Sequence, residues 1–223
     1  MKNFAQLYEM FLHSHADDEA AALEALPDKA SDKTLCDLPD DRYLSYMASC
    51  VFQAGFAWRV VNSKWPGFES AFRQFKPAGV AYLSDEQVED LMRDTRIIRN
   101  RQKILATRDN AAFVFLKSQS TDGFGNWIAD WPNEDIVGLW LALKKEGSRL
   151  GGNTGPRVLR CVGKDTFLLT QDVCNALLRH GLVHDLSPNS IGGQRKAEKA
   201  FLDLQQESGW PLCRLSRMLA FTI

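Results

Sequence analysis

The segment Leu150-Gly-Gly-Asn-Thr-Gly-Pro-Arg-Val-Leu-Arg-Cys-Val-Gly163 says more about the fold than any other part of the sequence. It predicts a glycine-rich turn and a short helix with Pro156 at its first position and Gly163 at its end. Because Asn133 to Glu146 predicts a helix before the turn, the segment joins two helices into a hairpin. The free N–H groups that start the second helix would suit a phosphate. The alternative is a plain αα-corner, whose glycines only permit a sharp bend.

Cationic side chains surround this hairpin in the sequence. Arg149, Arg157, Arg160 and Lys164 could each donate charge-assisted hydrogen bonds to an anion held by the turn. On this segment alone the plain corner remains the favoured interpretation, and the anion site is the alternative that these charges leave open.

The rest of the chain also predicts helices. No run alternates apolar and polar residues between hairpin turns, which is the pattern of a half-buried strand. One buried helical stripe is predicted by apolar residues at helical spacing: Leu44, Met47, Cys50, Val51, Ala54 and Trp58. Ser84 with Gln87 predicts a capping box, and Thr170 predicts a helix N-cap. The other predicted segments are helices over Phe4 to His15, Ile97 to Lys117, Gln171 to His180, Gln194 to Gln206 and Pro211 to Phe221, a short helix and linker over Ala16 to Asp41, and a loop over Thr121 to Trp131. The predicted fold class is all-α.

Composition indicates a globular protein with segregated charge. The chain has 223 residues, of which 45% are hydrophobic and 25% charged, and its net charge is −1. The first 42 residues carry about −6 and the rest about +5. This balance excludes a disordered acidic protein and a strongly basic protein that coats nucleic acid. We expect residues 1–41 to form an acidic helical extension and residues 42–223 to form one domain of two lobes.

The sequence gives no sign of a membrane or secreted protein. No apolar run approaches the roughly 18 residues of a spanning helix, and the first residues do not follow the signal-peptide pattern. The five cysteines are scattered and form no CxxC motif, which predicts reduced thiols. We therefore expect a cytoplasmic protein without membrane contact, and a monomer.

Two further motifs resemble a known family. One is Phe52-Gln-Ala-Gly-Phe-Ala-Trp58 followed by Trp65-Pro-Gly-Phe-Glu-Ser-Ala-Phe72, and the other is Ile97-Ile-Arg-Asn-Arg-Gln-Lys-Ile104. With the hairpin, they make residues 41–180 similar to the 3-methyladenine DNA glycosylase I family of the helix-hairpin-helix superfamily. The resemblance implies a bilobal all-α fold with a cleft that accepts a flipped, alkylated purine. It implies a DNA N-glycosylase that excises alkylated purines such as 3-methyladenine from double-stranded DNA in base-excision repair.

The resemblance also implies a base pocket. Trp58 matches the family tryptophan that lines the pocket, and an indole face binds a cationic methylated purine better than a neutral base by about 0.5–2 kcal/mol. The alternative for Trp58 is a core aromatic of the buried stripe. Gln53 is a candidate for bonding the base edge. Phe52 is a weaker pocket candidate, for which core packing is the alternative.

The hairpin would then hold the DNA backbone, positioning the duplex without reading its sequence. The candidate DNA-binding residues are Gly152, Asn153, Thr154, Gly155, Arg157 and Lys164. Three cations of the second motif are either further contacts or a solvated helix face: Arg99, Arg101 and Lys103.

Two departures from the family pattern concern catalysis. The family has a base-recognising glutamate eight residues before the pocket tryptophan, where this chain has Cys50. A neutral thiol cannot offset a cation as a carboxylate does. The wider superfamily has a catalytic aspartate at the position of Thr170, and Asp172 either replaces it or only favours the helix N-terminus. Asp172 and Cys50 are the catalytic candidates. The alternative function is a catalytically impaired DNA-binding or damage-sensing module that retains the fold.

A third departure concerns metal. The family commonly binds a structural zinc through a Cys and a His at each end of the chain, and zinc needs four such ligands. This sequence has no cysteine before Cys36, and no cysteine follows His184 at short spacing. His13 and His15 have a metal-like spacing only on a strand, where a helix is predicted. We predict no metal and no cofactor.

Overall fold

The structure is a computed structural model that describes residues 2–15 and 18–223. Over these residues it consists of helices and connecting segments without a β-strand, which confirms the all-α prediction. None of these helices has the length and apolar character needed to cross a membrane. The helices are α1 (Phe4–His13), α2 (Glu19–Glu24), α3 (Asp32–Asp37), α4 (Asp40–Gln53), α5 (Trp58–Ser63), α6 (Trp65–Ala71), α7 (Pro77–Ala81), α8 (Asp85–Arg93), α9 (Arg101–Thr121), α10 (Phe124–Ala129), α11 (Ile136–Glu146), α12 (Thr154–Val162), α13 (Gln171–Arg179), α14 (Ile191–Ser208) and α15 (Leu212–Ala220).

The chain folds into two compact units, each assembled from segments that are distant in sequence. Unit 1 contains residues 1–30, 132–138 and 163–223. Unit 2 contains residues 31–131 and 139–162, and therefore includes the glycine-rich turn.

Unit 2 is built around α4 and α9, which pack against each other. Beside them, three fully buried rings, Phe68, Phe72 and Phe75, stack in succession with centroids 6.1 and 5.5 Å apart. The buried Asn110 of α9 donates to the carbonyl of Ser148 at 3.1 Å and accepts from its N–H at 2.7 Å. This reciprocal pair anchors the segment before the glycine-rich turn to α9.

Side-chain acceptors cap the starts of three helices, and the one that caps α15 is a buried carboxylate. The Asp165 carboxylate, only 5% exposed, accepts hydrogen bonds from the N–H groups of Leu212 at 3.0 Å and Cys213 at 2.9 Å. Both N–H groups lie in the first turn of α15, whose N-cap Pro211 has no side-chain hydrogen bond to offer. Thr170 accepts from the N–H of Val173 at 3.3 Å, which confirms the predicted cap of α13. The capping box of Ser84 and Gln87 is also confirmed, at the start of α8.

The predicted buried stripe is wrong at its end. Helix α4 stops at Gln53, so Ala54 and Trp58 do not extend the stripe. Trp58 instead begins α5, and 52% of its surface is exposed. Gly55, with a φ of +76°, lies in the turn between the two helices and breaks the helical spacing.

Three other predicted segments also differ from the structure. The predicted loop from Thr121 to Trp131 contains α10, which packs so closely on α3 that a Cβ on Gly125 would lie 2.2 Å from the Leu35 carbonyl oxygen. The predicted linker contains α3 as well as α2, while its first two residues, Ala16 and Asp17, lie outside the described residues. The helix predicted from residue 97 begins at 101, because Asn100 caps it by accepting from the Lys103 N–H at 3.1 Å.

His180 makes the stability of unit 1 depend on pH. Its Nε2 lies 2.8 Å from Thr222 Oγ1, whose hydroxyl donates to the Leu219 carbonyl, so Nε2 carries the proton. Its Nδ1 is buried without a hydrogen-bond partner among the described residues. Burial, assisted by the charges of Lys2 and Arg179, lowers the pKa of His180 below 6.5. A second proton would therefore be bound more readily by the unfolded chain than by the folded one.

We expect the free energy of unfolding to fall as the pH drops below 6.5, because the unfolded state then binds more protons. Urea unfolding at several pH values between about 5 and 7.5 would measure this slope. His180→Gln should flatten it, whereas the exposed control His184→Gln should not. Equal slopes in wild type and His180→Gln would contradict this account.

Candidate functional site

Trp58 is an exposed aromatic side chain beside a guanidinium group. The guanidinium carbon of Arg157 lies 3.9 Å from the centroid of the Trp58 ring. Trp58 comes from the start of α5 and Arg157 from α12, so unit 2 brings together two residues that the sequence predicted separately. The exposure of Trp58 favours a binding role over core packing. The stacked Arg157 indicates that the indole face accepts a cation.

Cys50 lies in the last turn of α4 and is buried. Its thiol forms a hydrogen bond with the thiol of Cys161 on α12. Cys161 was not among the site residues predicted from the sequence. This hydrogen bond and burial raise the pKa of Cys50 far above the ordinary value for a thiol. Cys50 is therefore a neutral thiol at physiological pH, and it cannot replace a carboxylate as a charge or as a general base.

Gln53 and Phe52, the other two predicted pocket residues, differ in whether their side chains can reach a bound base. The half-buried Gln53 donates from Nε2 to Ser49 Oγ at 3.2 Å and to Asn62 Oδ1 at 3.1 Å. Asn62 stands one turn after Trp58 on α5, so this bond ties Gln53 to the helix that carries the indole. Phe52 is fully buried, with its ring 4.6 Å from that of Phe68 in an edge-to-face contact. Its position is that of a core residue.

Lys103 holds the connection between α4 and α5. Its buried Nζ donates to the carbonyls of Phe52 at 3.1 Å and Ala54 at 2.5 Å and lies 4.4 Å from the centroid of the Phe56 ring. Burial lowers its pKa, and the charge of Arg149 adds to this effect. The interpretation of Lys103 as part of a solvated helix face is therefore wrong. Through these hydrogen bonds Lys103 positions the segment that leads into Trp58.

The predicted turn and the helix that leaves it are confirmed, although α12 begins at Thr154, before Pro156. Gly152 is exposed and has a φ of +59°, and Gly155 donates from its N–H to the Leu150 carbonyl at 3.0 Å. A cavity of about 290 Å³ opens beside the turn and is lined by Val51, Ala54, Lys103, Arg149, Gly151 and Thr154. Two cations and the start of a helix thus border one cavity, which suits an anionic group.

Two predicted site residues belong to unit 1. Asp172 is exposed in the first turn of α13, beside the cap Thr170. Lys164 is only 2% exposed, so its side chain lies in the protein interior and not on a solvent face. Among the described residues, no group of three or more His, Cys, Asp or Glu side chains could hold a metal ion.

The two glycines of the turn should respond differently to substitution. A Cβ on Gly155 would lie 2.6 Å from the Leu150 carbonyl oxygen, whereas one on Gly152 meets nothing within 4 Å. We expect Gly155→Ala to cost about 2 kcal/mol by forcing the turn open, and Gly152→Ala about 1 kcal/mol of left-handed backbone strain. Urea unfolding would measure both. A larger loss for Gly152→Ala would contradict the described turn.

Comparisons with known proteins show which proteins this chain is similar to. Residues 38–146 match the methyladenine glycosylase family. The chain is 36% identical over 120 residues to DNA-3-methyladenine glycosylase 1 of Escherichia coli (strain K12), covering 46% of this chain and 64% of the relative. It is 28% identical over 85 residues to DNA-3-methyladenine glycosylase of Haemophilus influenzae (strain ATCC 51907 / DSM 11121 / KW20 / Rd), covering 38% and 46%. The chain thus spans less than two thirds of these curated relatives.

Solved structures support the fold. A variant of 3-methyladenine DNA glycosylase I from Staphylococcus aureus superposes with a TM-score of 0.53 at 18% identity, over 68% of this chain and 90% of that one. A second variant of 3-methyladenine DNA glycosylase I, in complex with 3-methyladenine, gives 0.51 at 18% identity over the same shares. At these identities the likeness concerns the fold alone.

Proposed function

We propose that this chain, a divergent relative of the methyladenine glycosylase family through residues 38–146, is a DNA N-glycosylase that excises alkylated purines such as 3-methyladenine. The observation that carries the proposal is Trp58, which lies in a family motif, is exposed, and already stacks on a cation. A purine methylated on a ring nitrogen is itself a flat cation. It can take the place of the Arg157 guanidinium on the indole, or stack on the opposite face.

The proposed reaction does not require a general acid. Water attacks C1′ of the deoxyribose and gives up one proton to the solvent or to a base. The N-glycosidic bond breaks, and its electron pair neutralises the positively charged purine. Because the leaving base departs as a neutral molecule, it needs no proton from the enzyme. The protein contributes by extruding the base, holding it on Trp58 and positioning the water. The neutral Cys50 is compatible with this reaction, since the reaction does not require Cys50 to accept or to donate a proton.

Asp172 is the carboxylate that we propose as a stabiliser of the oxocarbenium-like sugar or as a base for the attacking water. Its exposure in a first helical turn also fits a purely electrostatic effect on α13, of about 0.3–1 kcal/mol. Asp172→Asn separates the two roles, because only the catalytic role predicts a loss of base release at unchanged stability.

The proposed DNA contacts are the backbone and side chains of the turn, with Arg157 at the start of α12: Gly152, Asn153, Thr154 and Gly155. The buried positions of Phe52 and Lys164 give these two residues no part in the proposed contacts. We further propose a monomer that acts on duplex DNA in the cytoplasm. The five free thiols support the cytoplasmic location, because thiols stay reduced in that compartment. The acidic residues 1–41 would remain off the DNA.

The second candidate function is a DNA-binding or damage-sensing module without catalysis. The observation that favours it is Cys50, a buried neutral thiol where the family has a glutamate. Incubation with methylated duplex DNA separates the two functions. The glycosylase releases free 3-methyladenine. The sensing module binds the DNA, with some preference for the methylated form, and releases nothing at any protein concentration.

A further inference from the structure

Two cysteines of unit 2 form a thiol pair for which base release has no use. Cys50 on α4 and Cys161 on α12 are hydrogen-bonded through their side chains, and the two helices pack against each other. Cys50 is buried, whereas Cys161 is exposed to solvent. Both are free thiols in this structure. The pair thus has one member that a small reagent can reach and one that is held behind it.

The surroundings activate the exposed member. The hydrogen bond with Cys50 lowers the pKa of Cys161 below the ordinary value for a thiol, and the positive charges of Arg157 and Arg160 act in the same direction. Arg157 stands four residues before Cys161, one turn along α12, and Arg160 directly precedes it. A thiolate at Cys161 accepts a hydrogen bond from the Cys50 S–H group. The lowered pKa makes the Cys161 thiol more reactive near neutral pH than an ordinary thiol.

We propose that Cys161 and Cys50 are a peroxide-reactive dithiol, in which Cys161 is oxidised first and Cys50 then closes a disulfide between α12 and α4. In the first step the Cys161 thiolate attacks one oxygen of a hydroperoxide, the O–O bond breaks, and an alcohol or water leaves with a proton. Cys161 is then a sulfenic acid. In the second step Cys50 loses its proton and attacks the Cys161 sulfur, the S–O bond breaks, and water leaves. The two thiols are oxidised and the hydroperoxide is reduced.

The order of the two steps follows from exposure. A peroxide reaches Cys161 directly, whereas the buried Cys50 meets only the sulfur already beside it. Cys36 is exposed like Cys161, but among the described residues it has no hydrogen bond to a second thiol. A sulfenic acid formed at Cys36 would therefore have no second thiol beside it to form a disulfide. The proposal rests on the pairing of the two thiols, their burial and the charges beside Cys161, and it stands whether or not the chain excises bases.

The test uses the full chain, reduced and then treated with hydrogen peroxide, with peptide mass spectrometry as the readout. We expect a disulfide between the peptides of Cys50 and Cys161, with a loss of two hydrogen atoms. Cys50→Ser should stop the reaction at the sulfenic acid of Cys161, which a dimedone probe traps. Cys161→Ser should abolish both products, and the control Cys36→Ser should change neither.

Nucleophilicity is measured separately, with limiting iodoacetamide near pH 7. We expect Cys161 to be alkylated about ten times faster than Cys36, because the surroundings of Cys161 lower the pKa of its thiol. Two results would overturn the proposal: alkylation of Cys161 no faster than that of Cys36, or oxidation of Cys161 without a disulfide to Cys50 in a chain that circular dichroism shows to be folded.

Discussion

Trp58→Ala should lower the single-turnover rate constant for release of 3-methyladenine by about 100-fold. Stacking of a base on an aromatic ring is worth about 1–3 kcal/mol, a cation adds up to about 2 kcal/mol, and each 1.4 kcal/mol is a factor of ten. Because 52% of Trp58 is exposed, the protein should remain folded without the indole. Release of free base from methylated DNA would be followed by chromatography at saturating protein.

Two matched variants complete this experiment. Trp58→Phe keeps an aromatic face and should retain most of the rate. Tyr82→Ala removes an aromatic side chain that is 77% exposed elsewhere in unit 2, and should have no effect. An unchanged rate in Trp58→Ala would remove the indole from the site. An equal loss in Tyr82→Ala would mean that the effect is not specific to the pocket.

Asp165→Ala should lower the free energy of unfolding by about 3–4 kcal/mol. The buried carboxylate caps α15 with two charge-assisted hydrogen bonds, at 3.0 and 2.9 Å, and no side chain at Pro211 replaces them. Each such bond is worth about 1.5–3 kcal/mol, and alanine would leave both N–H groups buried without an acceptor. Urea unfolding followed by circular dichroism would measure the loss.

Asp165→Asn keeps one acceptor oxygen and should cost less than the alanine variant. Asp185→Ala, which removes an exposed carboxylate paired with Lys196, is the control and should leave the free energy of unfolding close to that of wild type. A loss for Asp165→Ala no larger than that of the control would contradict the capping role described for this residue.

The features that could be predicted from the sequence are those set by neighbours along the chain. The caps at Ser84 and Thr170 depend on residues three positions apart, and both are confirmed. The turn before α12 was also predictable, because its glycines and Pro156 belong to the same short segment. The family motifs led to Trp58, but its exposure became visible only when α4 proved to end at Gln53.

The features that could not be predicted depend on contacts between distant segments. Lys103 has the pattern of a solvated cation, yet the carbonyls of Phe52 and Ala54, about 50 residues earlier in the chain, hold its amine in the interior. Helix α10 was missed because its packing on α3 compensates for a glycine-rich sequence. No spacing rule connects Cys50 with Cys161, so their pairing required the structure.

The decisive measurement is the rate of 3-methyladenine release from methylated duplex DNA, compared with spontaneous loss from the same DNA without protein. Spontaneous loss is the correct reference, because a cationic purine already departs slowly without help. We predict a single-turnover rate at least about 100-fold above it for wild type, which corresponds to about 2.7 kcal/mol of barrier reduction. Release no faster than the spontaneous rate, from DNA shown to be bound by the protein, would contradict the proposed glycosylase and leave the sensing module.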